Sequence, residues 1–588
     1  MRASSMAWLT IVAIGQILMS INYVQAQTQE DYIVKDLPGL SPADSENLKQ
    51  YAGHMALDEG KLSNLFFWLV TKKRDQKSGK LIIWLNGGPG CSSADGYFLE
   101  SGPLRFVDQT LTINKGGWHE FANVVFLDQP VGTGLSFTKD QLLGSMEEIT
   151  NHFLAFLREF FKIFPDLAQD DLYLAGESYA GTYIPYFAKG ILDHNENLPE
   201  GHHAYNMQGM AIGNGWIDPL HQYTSFIPFV QKYGIGTPDL ISDLTHQQDR
   251  CLDDIRLQDL ISQNKCEDLV SIILRSSITG NETNPMCINE YDIRRKEVYP
   301  GCGTLWPYEL PQMKEYLNRQ DVRRALNAIR APDPWGECSR RVSDALRFDD
   351  STPAISLLPG ILEKTKILLF SGQQDLICNH IGTEFMISNM TWQGAQGFVD
   401  SPTHKWTVED IPAGEWIEDR NLTYVLVFNS SHMVPYDVPL VALDMMNRFM
   451  GLDPRLQNFK SHLDTDTDSD TSDTLPPGGE KIDIDQPGGS HSSNGSALLL
   501  LVLVAIGCAV FVMLRRRNRQ KKLGGEHTGV QWFPLSNSNN DSRSRGQPIS
   551  TDELDELVVE SGIHDSDEDN FGDDDDDEDH RRHSGERY

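Results

Sequence analysis

Closely spaced metal ligands are missing from this sequence. No HExxH and no His-x-x-Glu pair occurs before residue 497, which excludes the usual zinc-peptidase chemistry. No metal and no cofactor is predicted. Basic charge is scarce too: 50 Lys and Arg stand against 84 Asp and Glu, a formal net charge of -34. Phosphate backbones need a basic footprint, so nucleic-acid binding is excluded. No internal repeat is visible, cysteine is limited to eight in 588 residues, and apolar runs long enough to meet a membrane are limited to two, one near each end.

The first run follows Arg2 and includes Trp8, Leu9, Ile11, Val12 and Ile14, ending at Val24-Gln25-Ala26. Gln16 and Asn22 interrupt it, so it reads as a signal peptide over residues 1–26, cleaved before Gln27, rather than as a span. The second run, 497–514, carries no charge and is followed by Arg515, Arg516, Arg517, Arg519, Lys521 and Lys522. Eighteen residues at about 1.5 Å each just cross a bilayer core of roughly 30 Å, and the basic flank predicts an out-to-in, single-pass type I helix. Residues 461–495 are rich in Asp, Thr, Ser, Gly and Pro and predict an acidic disordered stalk. Residues 515–588 form a predicted cytoplasmic tail ending in an acidic run at 573–579, suited to binding sorting machinery. Sequons at Asn281, Asn389, Asn421, Asn429 and Asn494 all precede the span, as lumenal glycosylation requires. Cys508 lies inside the span, which leaves seven cysteines outside it and at least one unpaired.

Between 27 and 460 the chain reads as one globular unit. Nearly unbroken apolar runs at 80–85, 123–128, 171–175, 366–370 and 424–428 are what buried parallel strands need. Helical patterns such as 147–164 separate several of them, predicting an α/β fold with a central, mostly parallel sheet. From about 220 to 340 the pattern degrades and Cys251, Cys266, Cys287 and Cys302 gather, which predicts an inserted cap stapled by disulfides.

The strongest local signal is Gly176-Glu177-Ser178-Tyr179-Ala180-Gly181 at the end of the third run. A strand entering a small-residue turn with Ser at its apex is a nucleophile elbow, with Ala180 where the usual pattern has Gly. A Ser hydroxyl needs a base and an acid that orients the base. Asp375 lies just past the fourth run and His432 just past the fifth, giving the order Ser, Asp, His at strand ends, where catalytic groups gather.

Asn86-Gly87-Gly88-Pro89-Gly90-Cys91-Ser92-Ser93, Asp128-Gln129-Pro130-Val131-Gly132, Gly176 to Gly181, and His432-Met433-Val434-Pro435 together resemble the signatures of the serine carboxypeptidase family over residues 35–455. The resemblance implies an α/β-hydrolase fold with Ser178, Asp375 and His432 as catalytic triad. It implies an oxyanion hole from the amides of Gly88 and Tyr179, and a cradle for the substrate's terminal carboxylate from Trp84, Asn86, Gly87, Glu100 and Glu177. Glu beside a carboxylate is workable when a neighbouring acid keeps one of the pair protonated. The same resemblance implies the disulfides Cys91–Cys338, Cys251–Cys266 and Cys287–Cys302, and a free Cys378 lining the pocket with Met433. The single span and acidic tails are most similar to the membrane-anchored processing branch of the family in the fungal late Golgi. That implies removal of C-terminal Lys and Arg from peptide and protein precursors already cut by an endoprotease. A broad preference for apolar C-termini, or a catalytically dead lumenal receptor, are the alternatives.

Overall fold

The structure is a computed structural model that describes residues 27–74, 79–107, 110–257, 266–281 and 283–466. The expected signal peptide, the span at 497–514, most of the stalk, the cytoplasmic tail and Asn494 lie outside the described residues. Among the described residues no helix is long and apolar enough to cross a membrane.

The central sheet is built from β1 (Gln50–Ala56), β2 (Ser63–Val70), β3 (Lys80–Leu85), β4 (Asn123–Asp128), β5 (Asp171–Glu177), β6 (Met207–Gly213), β7 (Lys366–Gly372), β8 (His404–Val408), β9 (Ile411–Asp419), β10 (Leu422–Val427) and β11 (Ser461–Leu463). Their spatial order is β1-β2-β4-β3-β5-β6-β7-β10-β9-β8-β11. The six strands from β4 to β10 in that order are parallel to their neighbours. Both flanks are antiparallel, so the sheet is mixed rather than mostly parallel. This is an α/β-hydrolase-like architecture.

The apolar runs alternate between two cores because successive strand residues face opposite sides. Leu81, Ile83 and Leu85 of β3 pack with Phe153 and Phe156 of α1 (Met146–Ile163) and with Tyr183 and Phe187 of α2 (Ala180–Glu196). Ile82 and Trp84 turn the other way, joining Trp118 and the Met445, Met446 and Phe449 side chains of a later helix, 439–449. Helix α1 starts where Ser145 accepts a hydrogen bond from the Glu148 amide, and it buries Ile149, Phe153, Phe156 and Phe160 at helical spacing.

Residues 214–365 form the insertion between β6 and β7, wider than the 220–340 read from the sequence. It has its own apolar cluster, in which Phe226, Phe229, Leu244, Leu269 and Ile273 are buried. Cys251–Cys266 and Cys287–Cys302 staple it internally, and Cys91–Cys338 ties its far end to the loop after β3. At the other boundary the fold continues past 460: β11 pairs with β8, Leu463 is buried, and Asp466 accepts hydrogen bonds from Arg448. The fold therefore reaches six residues into the segment 461–495 expected as stalk, because a single buried leucine among polar residues gives too weak a periodic signal to read. Asn281, Asn389, Asn421 and Asn429 are all exposed, as sugar attachment requires.

The disulfides differ in the length of chain they close. Cys91–Cys338 spans a separation of 247 residues and Cys251–Cys266 one of 15. In the chain-entropy account the long closure contributes about 5 kcal/mol and the short one about 3. Chemical denaturation should therefore show a larger loss of unfolding free energy for Cys91→Ser/Cys338→Ser than for Cys251→Ser/Cys266→Ser. The reverse order would contradict the tie between insertion and sheet.

Candidate active site

Register brings the site residues to one rim. Glu177 of β5 lies opposite Gly213 of β6, Gly213 opposite Phe370 of β7, and Gly372 opposite Val427 of β10. Ser178 follows β5 directly, Asp375 is three residues past β7 and His432 five past β10. All three therefore leave the same end of four neighbouring parallel strands.

Ser178 has φ 59°, in the left-handed region, while its amide donates to Gly213 O at 3.1 Å. Such a conformation in a non-glycine residue costs on the order of 1–3 kcal/mol and persists only where the surroundings impose it. They do so through close approach. A Cβ on Gly176 would sit 2.2 Å from Leu85 O, and one on Gly87 would sit 2.4 Å from the Tyr179 amide nitrogen and 2.8 Å from Ser178 Cβ. Gly87 thus presses the β3 loop against the elbow and brings the Gly88 and Tyr179 backbones together. Neither the Gly88 nor the Tyr179 amide donates a hydrogen bond among the described residues.

His432 Nδ1 lies 2.8 Å from Asp375 Oδ2. With Asp375 as acceptor, Nδ1 carries the proton and Nε2 is left as the basic nitrogen. Asp375 is fully buried and also accepts from Asn214 Nδ2 at 2.6 Å and from the Ile377 and Cys378 amides. Burial pulls the His432 imidazole down, but the charge and hydrogen bond of Asp375, with smaller contributions from Glu100 and Glu290, raise it overall above the ordinary histidine value. The His432 main-chain amide donates to Tyr291 O at 2.9 Å, and the imidazole ring meets the Tyr291 ring at 5.2 Å. Cys378 Sγ, Asp375 and His432 bring their donor atoms within 4.8 Å of one another. Burial and the Asp375 charge push the Cys378 thiol well above the usual thiol range, so it remains protonated and inert. Met433 is buried beside His432 and adds apolar surface.

The loop after β3 builds the second half of the site. Asn86 Oδ1 accepts from Trp84 Nε1 at 2.7 Å and from the Gly96 amide at 3.1 Å. With its oxygen so engaged, the amide must turn its NH₂ outward, where it donates to Glu100 Oε1 and Glu177 Oε1, both at 3.1 Å. The remaining oxygens, Glu100 Oε2 and Glu177 Oε2, are buried with no partner outside the pair, and the two carboxyls hydrogen-bond each other once one is protonated. Burial raises both carboxyls above the carboxylate range, Glu177 the more strongly because the charge of Glu100 adds to it. The pair therefore holds a proton, and a protonated carboxyl can donate to an incoming anion.

The structure thus brings Asp375, Cys378 and His432 together, joins Asn86 to Trp84, Glu100 and Glu177, and starts Ser178 from the same rim of the sheet. One positioning residue was missed. Asn214, which follows the unrecognised strand β6, donates to Asp375 and accepts from the Gly372 amide at 2.9 Å. The available signal was the run 207–213 ending in Gly213-Asn214-Gly215, a strand end like the others. Asn214→Ala should cost about 2–4 kcal/mol, since it leaves a buried amide and a buried carboxylate each short of a partner. An unaltered urea midpoint would contradict that.

Comparison with known proteins agrees with the geometry. The serine carboxypeptidase family matches residues 38–451. The pheromone-processing carboxypeptidase of Tuber melanosporum is 39% identical over 577 residues, covering 92% of this chain and 89% of that one. That of Aspergillus oryzae is 40% identical over 560 residues, covering 91% and 88%. Among solved structures, a prohormone-processing carboxypeptidase from Saccharomyces cerevisiae superposes with a TM-score of 0.67 at 34% identity, covering 74% of this chain and 99% of that one. The chain belongs to the serine carboxypeptidase family and is a serine-type carboxypeptidase.

Proposed function

We propose that this enzyme releases single C-terminal residues, preferentially Lys and Arg, from peptides and precursors that an endoprotease has already cut. In this reading Ser178 attacks the last peptide carbonyl while His432 Nε2 takes its proton and Asp375 stabilises the resulting imidazolium. The Gly88 and Tyr179 amides face the developing oxyanion. His432 then passes the proton to the departing amine, and water attacks the acyl-enzyme by the same base. The departing residue's carboxylate rests in the cradle of Trp84, Asn86, Gly87, Glu100 and Glu177.

One observation carries the exopeptidase assignment: the Asn86 amide, bracketed by two proton-sharing glutamates, stands one residue away from the glycine that touches the Ser178 elbow. An internal peptide segment has no anion to place there. A pheromone or prohormone type of substrate is supported by the relatives, which are pheromone-processing and prohormone-processing carboxypeptidases, and the Lys and Arg preference rests on the family resemblance of the sequence. A late-Golgi membrane location with a lumenal catalytic domain is supported by the sequence outside residues 27–466, namely the leader, the apolar run at 497–514 and its basic flank. The acidic tail is proposed to bind sorting machinery.

Two measurements test the reading. Peptides ending in Lys or Arg should be trimmed at least tenfold faster than those ending in Leu, by kcat/KM. Equal rates would favour the broad-specificity alternative, which the apolar Cys378 and Met433 also suit. The pH dependence has two opposed limbs. Below the raised value of His432 the imidazole is protonated and cannot accept the serine proton, so kcat falls as pH falls. Above the raised value of Glu177 the cradle loses its shared proton and repels the substrate carboxylate, so KM climbs as pH rises. Glu177→Gln should flatten the KM limb and leave the kcat limb in place. A KM that still climbs in that variant would contradict the shared-proton cradle.

A further inference from the structure

Two glutamates beside the candidate site have no task in the chemistry above. Glu290 lies in the insertion, three residues after the disulfide cysteine Cys287. Its backbone makes three hydrogen bonds, to two segments. The amide donates to Cys302 O at 2.9 Å, and the carbonyl accepts from the Leu376 and Ile377 amides at 3.1 and 3.2 Å, in the turn that carries Asp375 and Cys378. The next carbonyl, Tyr291 O, accepts the His432 amide. The residue is therefore fixed to the loops of both Asp375 and His432.

Its carboxylate has neither a hydrogen bond nor an ion pair among the described residues, although the residue is half-buried. Nearby charged groups are otherwise occupied. Glu297 accepts from Asn289 Nδ2 and the Gly303 amide, Arg294 is spent on Asp292 and Asp437, and Arg295 on Asp292. The titratable groups acting on Glu290 are Asp375, His432 and Glu297, and it acts in turn on Tyr291 and Cys378. Burial first, then the Asp375 charge, pushes its carboxyl up to about 7. Glu337 is a second such group. Its carbonyl accepts the Ser92 amide at 2.7 Å, it precedes the disulfide cysteine Cys338, and its side chain is half-buried without a partner among the described residues. Burial raises it to about 7, and its charge, like that of Glu290, bears on the Tyr291 hydroxyl.

We propose that Glu290, together with Glu337, receives the cationic side chain of the substrate's C-terminal Lys or Arg. The assignment rests on the specificity reading given above. A half-buried carboxyl without a partner gains from a cation, which restores its charged form and supplies the missing partner. The buried Cys378 and Met433 offer apolar surface to the methylene stem of the same side chain. A role limited to raising the basicity of His432 would instead alter every substrate alike.

The test is the kcat/KM ratio for otherwise identical peptides ending in Lys and in norleucine, which keeps the stem without the charge. In the wild type the ratio should rise between pH 5 and 7.5, as Glu290 ionises. In Glu290→Gln it should fall at least tenfold and lose its pH dependence, with the norleucine rate kept within about threefold. Labelling of Ser178 by a serine-reactive phosphonate reports whether the variant is folded. Should it fail to fold, Glu337→Gln should lower the ratio severalfold by itself. A ratio unchanged in either folded variant, equal losses for both peptides, or a change seen only when the penultimate residue is varied would overturn the assignment. A wild type without any preference for Lys defeats the specificity reading, and this assignment with it. A preference that survives Glu290→Gln defeats this assignment alone.

Discussion

Two carboxyl groups kept close together in a dry site set the terms for this molecule. Glu100 and Glu177 share the Asn86 amide and each leaves one oxygen buried with no partner outside the pair. Two like charges at that separation in low dielectric cannot both persist, so one proton must stay. That proton converts a repulsive pair into a donor for an anion. The cost of placing the pair there is met by the sheet: Glu177 is the last residue of β5, paired with Gly213 of β6 and directly after Gly176, which pairs with Leu85 of β3.

The same rigidity serves the hydroxyl. Ser178 follows Glu177 immediately, so the strand that holds one half of the cradle also presents the candidate nucleophile, in a backbone conformation that only close packing sustains. Asp375 and His432 come from loops whose backbones are cross-bonded through Glu290 and Tyr291 of the insertion. The insertion is therefore more than a cover. Its chain spaces the acid and the imidazole, and its Cys91–Cys338 tie reaches the loop that carries Asn86 and Gly87. Loss of that tie would loosen the insertion and the cradle loop together.

The legible parts of the sequence were those where burial is uniform. Strands β3 and β4 were readable to the residue because both faces meet apolar helices, and the elbow because only small residues fit its turn. Strand β1 escaped notice for a physical reason. Gln50 and His54 of β1 are buried, yet paired: Gln50 Oε1 accepts from Trp68 Nε1 and Tyr97 Oη, and His54 Nε2 bonds Leu135 O. A satisfied polar residue inside a strand erases the apolar run by which strands are found. Asn214, Glu290 and Glu337 were equally hidden, since a polar residue in a loop acquires its role only from partners distant in sequence. Glu100 was reachable through family resemblance alone, because nothing local distinguishes it from a surface acid. The disulfide pairing came by the same route, and the structure has the three bridges that resemblance implied.

What stands or falls with the buried pair is recognition of a chain end rather than of a peptide bond. The direct measurement is the ratio of kcat/KM for a peptide with a free C-terminal carboxylate to that for its C-terminal amide, followed from pH 5 to pH 8. The shared-proton cradle predicts a ratio of at least a hundredfold at the acidic end, where the charge-assisted contact is worth about 3 kcal/mol or more, collapsing as the proton is lost. A small ratio at pH 5, or one that grows with pH, would contradict it.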